Sequence, residues 1–318
     1  MNKRTWQVGD IPSLEGKRVL ITGANSGIGF CTAVTLARKG AHVVLACRDR
    51  GRGEEALSRL GAEAPGGAEL AILDLASLGA VREFAAAELA KKEPLHLLIN
   101  NAGVYAPPHR LQTQDGFEMQ FGVNVLAHFA LTGLLMPALE LAAQEADGNG
   151  TGPRVVTIAS IAHKGGKLNF EDLQSTRGYS GNKSYQQSKL ADLMFAFELD
   201  RRLRAAGSGI TSVAAHPGVA STELFVKGEY SALEKATRNA IGHAIGMFLN
   251  TDSEGALPTL YAATAERVKG GDYYGPQGLA EARGGNVGTA KVSQRARDKA
   301  AAARLWQVCE ELTGVRFP

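Results

Sequence analysis

Residues 19–29, VLITGANSGIG, constrain this chain more than any other stretch. Val19, Leu20 and Ile21 form an apolar run that meets Thr22, and glycines follow at Gly23, Gly27 and Gly29. An amphipathic run over 30–39 then closes at Gly40. The pattern predicts strand, tight turn, helix. Without Cβ atoms on the turn, backbone N–H groups and a helix N-terminus can face a pyrophosphate. The spacing is G-x-x-x-G-x-G, not the commoner G-x-G-x-x-G. Taken alone, such a turn also serves as a plain connection between a strand and a helix.

The same alternation continues. Apolar runs predict strands over 17–22, 42–46, 69–73, 95–99, 154–158 and 210–215. Helical spacing fills the intervals after Gly29, over 49–62, over 77–92 with Ser77 as N-cap, over 115–141 and over 184–206. Strands alternating with helices argue an α/β fold with a central parallel sheet covered on both faces. No repeat or composition shift divides the chain, so the expectation is one domain over 1–318. It would have a polar lead-in at 1–16, tied down by Trp6, and a surface loop at 142–153.

Composition removes several function classes. A chain of 318 residues, 44% hydrophobic, can bury a core without a disulfide or metal. With 35 Lys and Arg against 32 Asp and Glu the net charge is +3, and no basic tract argues for nucleic acid. Cys31, Cys47 and Cys309 form no C-x-x-C pair, so neither zinc nor a disulfide framework is expected. The N-terminus lacks a secretory apolar region, and no run is long enough to span a membrane. A soluble, cytoplasmic protein is the expectation.

Open parallel sheets bind ligands at the C-terminal ends of their strands. Those ends here carry the glycine turn, Cys47 and Arg48, Asp74, residues 100–103, Ser160, and Pro217 with Gly218. A dinucleotide lying across them would touch all six. An acid at the second strand end suits the ribose 2′-hydroxyl of NAD, whereas an arginine accommodates the 2′-phosphate of NADP. Position 47 is Cys and Arg48 follows, so NADP(H) is favoured with Arg48 on the phosphate; Asp49 argues against this, and NAD(H) stays open. Tyr185 and Lys189 lie four apart on a predicted helix and face the same way. A tyrosine hydroxyl ordinarily ionises near about 10, and a neighbouring ammonium stabilises the phenolate and lowers that value. A general acid/base for an alcohol/ketone pair needs this. The same spacing also occurs on solvated faces; the strand ending in Ser160 and the phosphate turn give it weight.

These stretches together resemble the short-chain dehydrogenase/reductase family. The matching segments are TGANSGIG (22–29), LDL (73–75), NNAG (100–103), FGVNVLAHF (121–129), IAS (158–160), YQQSK (185–189) and HPGVAST (216–222), in that order. The family uses the G-x-x-x-G-x-G spacing. Within it the chain is similar to the retinol-dehydrogenase-like and protochlorophyllide-reductase-like branch, through LACRD (45–49), NFEDL (169–173), YQQSKLADLMF (185–195) and the tail LWQVCEELTGV (305–315).

The resemblance implies a single-domain Rossmann-type three-layer fold and a set of roles. Tyr185 would exchange the proton at the substrate oxygen, and Ser160 would hydrogen-bond that oxygen. Lys189 would hold the nicotinamide ribose and lower the tyrosine's pKa. Asn124 would hold a water linking Lys189 to solvent. Gly23, Asn25, Ser26, Gly27, Ile28 and Gly29 would hold the phosphates, and Asp74 and Leu75 the adenine. Asn101, Ala102 and Gly103 would line the cofactor site. Pro217, Gly218, Val219 and Thr222 would hold the nicotinamide side. His163 and His216 are given no role.

Residues 223–250, rich in Leu, Phe and Ile, are expected to be a substrate lid or, equally, packing against the body or a partner. Residues 304–318 are expected to be a tail. The function implied is carbonyl–alcohol interconversion on a lipophilic small molecule. Reduction of a carbon–carbon double bond, or a non-catalytic dinucleotide sensor, are the alternatives. The family commonly forms homodimers or homotetramers, which is the assembly expected here.

Overall fold

A strand buried on both faces must be apolar at consecutive positions, and β1 (Arg18–Thr22) is buried throughout. The computed structural model describes residues 5–145, 152–219 and 250–318. Thr222 and the expected lid, apart from Asn250, lie outside the described residues.

Seven further strands join β1: β2 (His42–Cys47), β3 (Ala68–Ile72), β4 (Leu97–Asn100), β5 (Arg154–Ile158), β6 (Thr211–Ala215), β7 (Tyr273–Pro276) and β8 (Val287–Thr289). They form one sheet in the order β3-β2-β1-β4-β5-β6-β7-β8. Every pairing is parallel except β7 with β8. The chain runs outward from β1 to β3, then crosses back to place β4 on the other side of β1. That reversal opens a crevice at the strand ends between β1 and β4, where ligands of such sheets lie.

Alternate side chains of the central strands feed two cores. Leu20, Val44, Leu98 and Val155 face one layer; Val19, Val43, Leu97 and Val156 face the other. The first layer holds α3 (Leu78–Ala90), α4 (Ala127–Leu134), α5 (Met136–Gln144), α6 (Gly181–Ala205) and α8 (Lys299–Thr313). The second holds α1 (Gly27–Arg38), α2 (Arg50–Leu60) and α7 (Asp252–Thr264). The three-layer α/β fold is thus the one the sequence predicts. Trp6 does tie down the lead-in, edge-on to Tyr261 at 5.2 Å.

Several boundaries differ. The helix expected from 115 is displaced: Gly116, at φ +85°, turns the chain so that Gln112 pairs with Glu118. A π-helical segment, Phe121–Leu126, precedes α4 instead, and Pro137 at the start of α5 breaks the run near Leu135. β3 is only partly buried because it is the sheet edge. The expected tail is largely α8, whose Trp306 is 2% exposed and packs edge-on against Phe129. No single helix among the described residues is long and apolar enough to cross a membrane.

Candidate active site

The chemistry starts where β1 stops. Thr22 ends the strand, and its hydroxyl oxygen accepts the backbone N–H groups of Asn101 and Ala102, both at 2.9 Å. Asn101 Nδ2 returns a bond to Thr22 O at 2.8 Å. The NNAG turn after β4 is thereby laced to the glycine turn after β1. The Thr22 hydroxyl also lies 2.9 Å from His128 Nε2, and His128 Nδ1 lies 2.9 Å from Asn124 O. A carbonyl can only accept, so Nδ1 carries the proton and Nε2 accepts from Thr22. Burial pushes the His128 imidazole down to about 4, keeping it neutral.

The glycines are there because nothing larger fits. A Cβ on Gly29 would sit 2.4 Å from Gly23 O and 2.5 Å from Asn101 Nδ2. Gly27 is at φ +58°, a backbone conformation that strains any L side chain, and a Cβ there would stand 3.9 Å from Asp252 Oδ1 at the head of α1. Ser26 makes no side-chain cap on α1, so the helix head is left to face the cleft. Gly29→Ala is accordingly expected to cost about 1–3 kcal/mol of stability by overpacking. It should weaken dinucleotide binding as well, which thermal unfolding and a fluorescence titration with NADPH would register.

A cleft of about 610 Å³ runs along these strand ends. It gathers Gly23, Asn25, Ser26, Gly27, Ile28 and Gly29 from the first turn, Asn101, Ala102 and Gly103 from the fourth strand end, and Ser160, Tyr185 and Lys189. Pro217, Gly218 and Val219 close the far side. Arg48, Asp74 and Leu75 do not line it. Arg48 is exposed beyond β2. Leu75 is buried in the core, and the Asp74 carboxylate accepts Ala76 N–H at 3.0 Å.

Ser160 lies two residues beyond the end of β5 and caps the short helix Ile161–Gly165, its Oγ accepting Ala162 N–H at 3.2 Å. The hydroxyl proton remains available to a substrate oxygen. His163, fully buried, sits with Nδ1 2.7 Å from Ser160 O and so steadies this turn rather than entering the cleft. His216 accepts Gly218 N–H at 3.1 Å through Nδ1.

Tyr185 and Lys189 project from α6 into the cleft, the ammonium 6.0 Å from the phenol ring centroid. Lys189 Nζ donates to Ile158 O and to Asp192 Oδ2, each at 2.8 Å. Burial opposes the Lys189 ammonium, but the Asp192 carboxylate and Tyr185 outweigh it and raise its pKa. Burial pushes the Asp192 carboxyl up to about 6, against the pull of Lys189. The 2.8 Å contact between Nζ and Oδ2 has the geometry of a buried ion pair.

Asn124 is 1% exposed on the π-helical segment, not a solvent-facing amide. Its side chain accepts Val104 N–H at 2.8 Å and donates to Val104 O at 3.1 Å and Ser188 Oγ at 3.0 Å. It holds the backbone just beyond Gly103 in place.

Several cleft or supporting residues escape a motif reading. Tyr105 packs edge-on against Tyr185 at 4.7 Å. Asn182 and Gln186 line the cleft from α6. Positions 182, 185, 186 and 189 follow i, i+3, i+4, i+7 spacing, the signal that would have found them. Asn250, fully buried, donates to Pro217 O at 2.8 Å and pairs its own N–H with Val219 O at 3.0 Å.

Residues 17–230 match the short chain dehydrogenase family model. Retinol dehydrogenase 14 of Mus musculus is 39% identical over 99% of this chain and 91% of that protein. Retinol dehydrogenase 12 of Homo sapiens is 41% identical over 96% of this chain and 88% of that protein. Among solved structures, an uncharacterized protein from Mycobacterium Paratuberculosis superposes with a TM-score of 0.77 at 40% identity, covering 99% of both chains. The RhlG/NADP active-site complex of Pseudomonas aeruginosa gives 0.61 at 25% identity over 82% of this chain and 94% of that one. The order of the motifs, the cleft they build and the relatives that share them agree: the chain belongs to the short-chain dehydrogenase family as a retinol-dehydrogenase-like, NAD(P)-dependent oxidoreductase.

Proposed function

We propose that the protein interconverts a carbonyl and an alcohol on a lipophilic small molecule, with NADP(H) as its preferred cofactor. The observation that carries this is the convergence of Ser160, Tyr185 and Lys189 in one cleft with the glycine turn. The cofactor fits the donor set: an uncapped helix head behind a turn whose Gly23, Gly27 and Gly29 line the cleft without a Cβ, for phosphates, and one Lys189 N–H not used by Ile158 or Asp192 for a ribose hydroxyl. When bound, the nicotinamide supplies or accepts the hydride.

The chain's own residues do the rest. Ser160 donates a hydrogen bond to the substrate oxygen and positions the carbonyl carbon. Tyr185 gives that oxygen a proton during reduction and takes it back during oxidation. Lys189 stabilises the phenolate left behind. Asn124 lies beside the route from Lys189 outward: a Cβ on Gly103 would stand 3.4 Å from Asn124 Oδ1 and 3.8 Å from Lys189 Nζ. A water there would return the proton to solvent. The substrate class rests on the relatives named retinol dehydrogenases.

For the cofactor, the end of β2 is the deciding place. Asp49, the one acid there, uses its carboxylate to cap α2, accepting Arg52 N–H at 2.9 Å. Arg48 beside it is exposed and can meet a 2′-phosphate. Arg48→Ala is expected to weaken NADPH binding roughly 10- to 100-fold, the worth of a charged hydrogen bond, while leaving NADH binding within about twofold. Titrations with both cofactors check this; an unchanged ratio would refute the assignment of Arg48. The reaction itself is tested by following NADPH absorbance across a panel of retinoid, aromatic and long-chain carbonyls and alcohols. A new alcohol is the expected product, and a saturated carbon–carbon bond would overturn the reading.

A further inference from the structure

Beneath the cleft lies a buried charge that none of the proposed catalytic roles uses. Asp192 is one turn beyond Lys189 on α6, and positions 185, 189 and 192 share a helix face. Its carboxylate, 2% exposed, meets the Lys189 ammonium at 2.8 Å, and the lysine is itself 5% exposed. A contact this dry is weakly screened, so the carboxylate opposes the field that the ammonium projects onto Tyr185.

The other described groups facing this pair carry no compensating charge. His128, from α4, is held neutral by burial. Cys309, from α8 and facing Asp192, is pushed well above the thiol range by burial and stays protonated. Tyr105 packs on Tyr185 from the segment after β4. Tyr273, from β7, is raised by burial and also stays neutral. Asp192 is therefore the carboxylate that acts on Lys189 beside Tyr185 among the described residues.

We propose that Asp192 is a positioning residue for the reaction: its carboxylate fixes the Lys189 ammonium against Ile158 O and moderates the positive field at Tyr185. This rests on Tyr185 being the acid/base. Removing the anion while keeping an acceptor for Nζ leaves the ammonium, which Tyr185 still favours against burial, acting on the phenol unopposed by Asp192. The phenolate is then favoured, and the pH at which Tyr185 ionises moves down. In alcohol oxidation, where the base form is needed, the acid limb of kcat/KM shifts to lower pH. In carbonyl reduction, where the acid form is needed, the alkaline limb shifts the same way.

The test uses D192N and the smaller D192S, each held with saturating NADPH or NADP⁺ to support the fold. The ultraviolet phenolate titration of each is compared with the same protein carrying Y185F, so that Tyr185 alone is read and no substrate is needed. The expected midpoint is lower than in the unaltered protein by about one pH unit in both variants. The kinetic profile with retinol as probe alcohol should move by the same amount. A midpoint within about 0.2 units of the parent, or activity that falls equally at every pH, overturns the proposal. So does loss of folding in both variants, which would make Asp192 an anchor of the fold instead. Retained activity in Y185F would refute the acid/base assignment separately, because the ultraviolet shift would still report whether Asp192 acts on the phenol.

Discussion

Tyr185→Phe should lower kcat by roughly 10²- to 10⁴-fold, the range that positioned general acid–base catalysis supplies. The substitution deletes one hydroxyl and little else. The phenyl ring keeps its edge-on contact with Tyr105, whose centroid is 4.7 Å away. Lys189 keeps its bonds to Ile158 O and Asp192, so the ammonium stays where a ribose would meet it. Dinucleotide affinity should then stay within about threefold, a change well under one hydrogen bond's worth. Steady-state rates with a fluorescence titration of NADPH separate the two effects. Residual activity above about a tenth of the parent would show that the proton comes from elsewhere. A parallel loss of cofactor binding would show instead that the ring was structural.

The motif chemistry was legible because it obeys short-range rules. The run through Thr22 must be a buried strand, since it has no polar face, and the glycines after it only make sense as a close approach. Gly29 bears this out, being pressed against Gly23 O and Asn101 Nδ2. Tyr185 and Lys189 are joined by helical spacing alone. Longer-range features left weaker marks. β7 and β8 are short, and β7 contains Gly275 and Pro276, so its sequence reads as a loop until β6 offers an edge. The π-helical segment around Asn124 has no composition signal, and the partners that hold Asn124, Val104 and Ser188, lie 20 and 64 residues away in the chain. Asp192 is visible at the right spacing, but an aspartate on a helix reads as solvated until α8 is found lying over it. Arg48 is the reverse case. Its chain position was clear, and its role depends on a ligand group reaching past the lined cleft.

Acid is expected to unfold this protein from the strand ends outward, because neutral imidazoles are built into them. Burial holds His128 down at about 4 and His216 down at about 3, against an ordinary value of 6.5. Above pH 6.5 both states carry neutral rings and stability is complete. As pH falls below that, the unfolded chain takes up protons that the native chain refuses, so stability drops through the window from 6.5 toward 4 and 3. At pH 4 the loss is about 3 kcal/mol for each ring, a large share of the 5–15 kcal/mol typical of a folded domain. A charged His128 could no longer accept the Thr22 hydroxyl, and that hydroxyl oxygen organises the Asn101 and Ala102 N–H groups. The dinucleotide cleft should thus fail together with the fold. Urea midpoints at pH 7, 5.5 and 4.5 measure the slope. His128→Asn should be less stable at pH 7 by about 1–3 kcal/mol, having lost a buried hydrogen-bond partner for Thr22. It should also respond less to acid, so that its curve and the parent's converge toward pH 4. Parallel curves would mean that His128 is protonated at no cost, and that the neutral imidazole is not what ties the first strand end to Asn124.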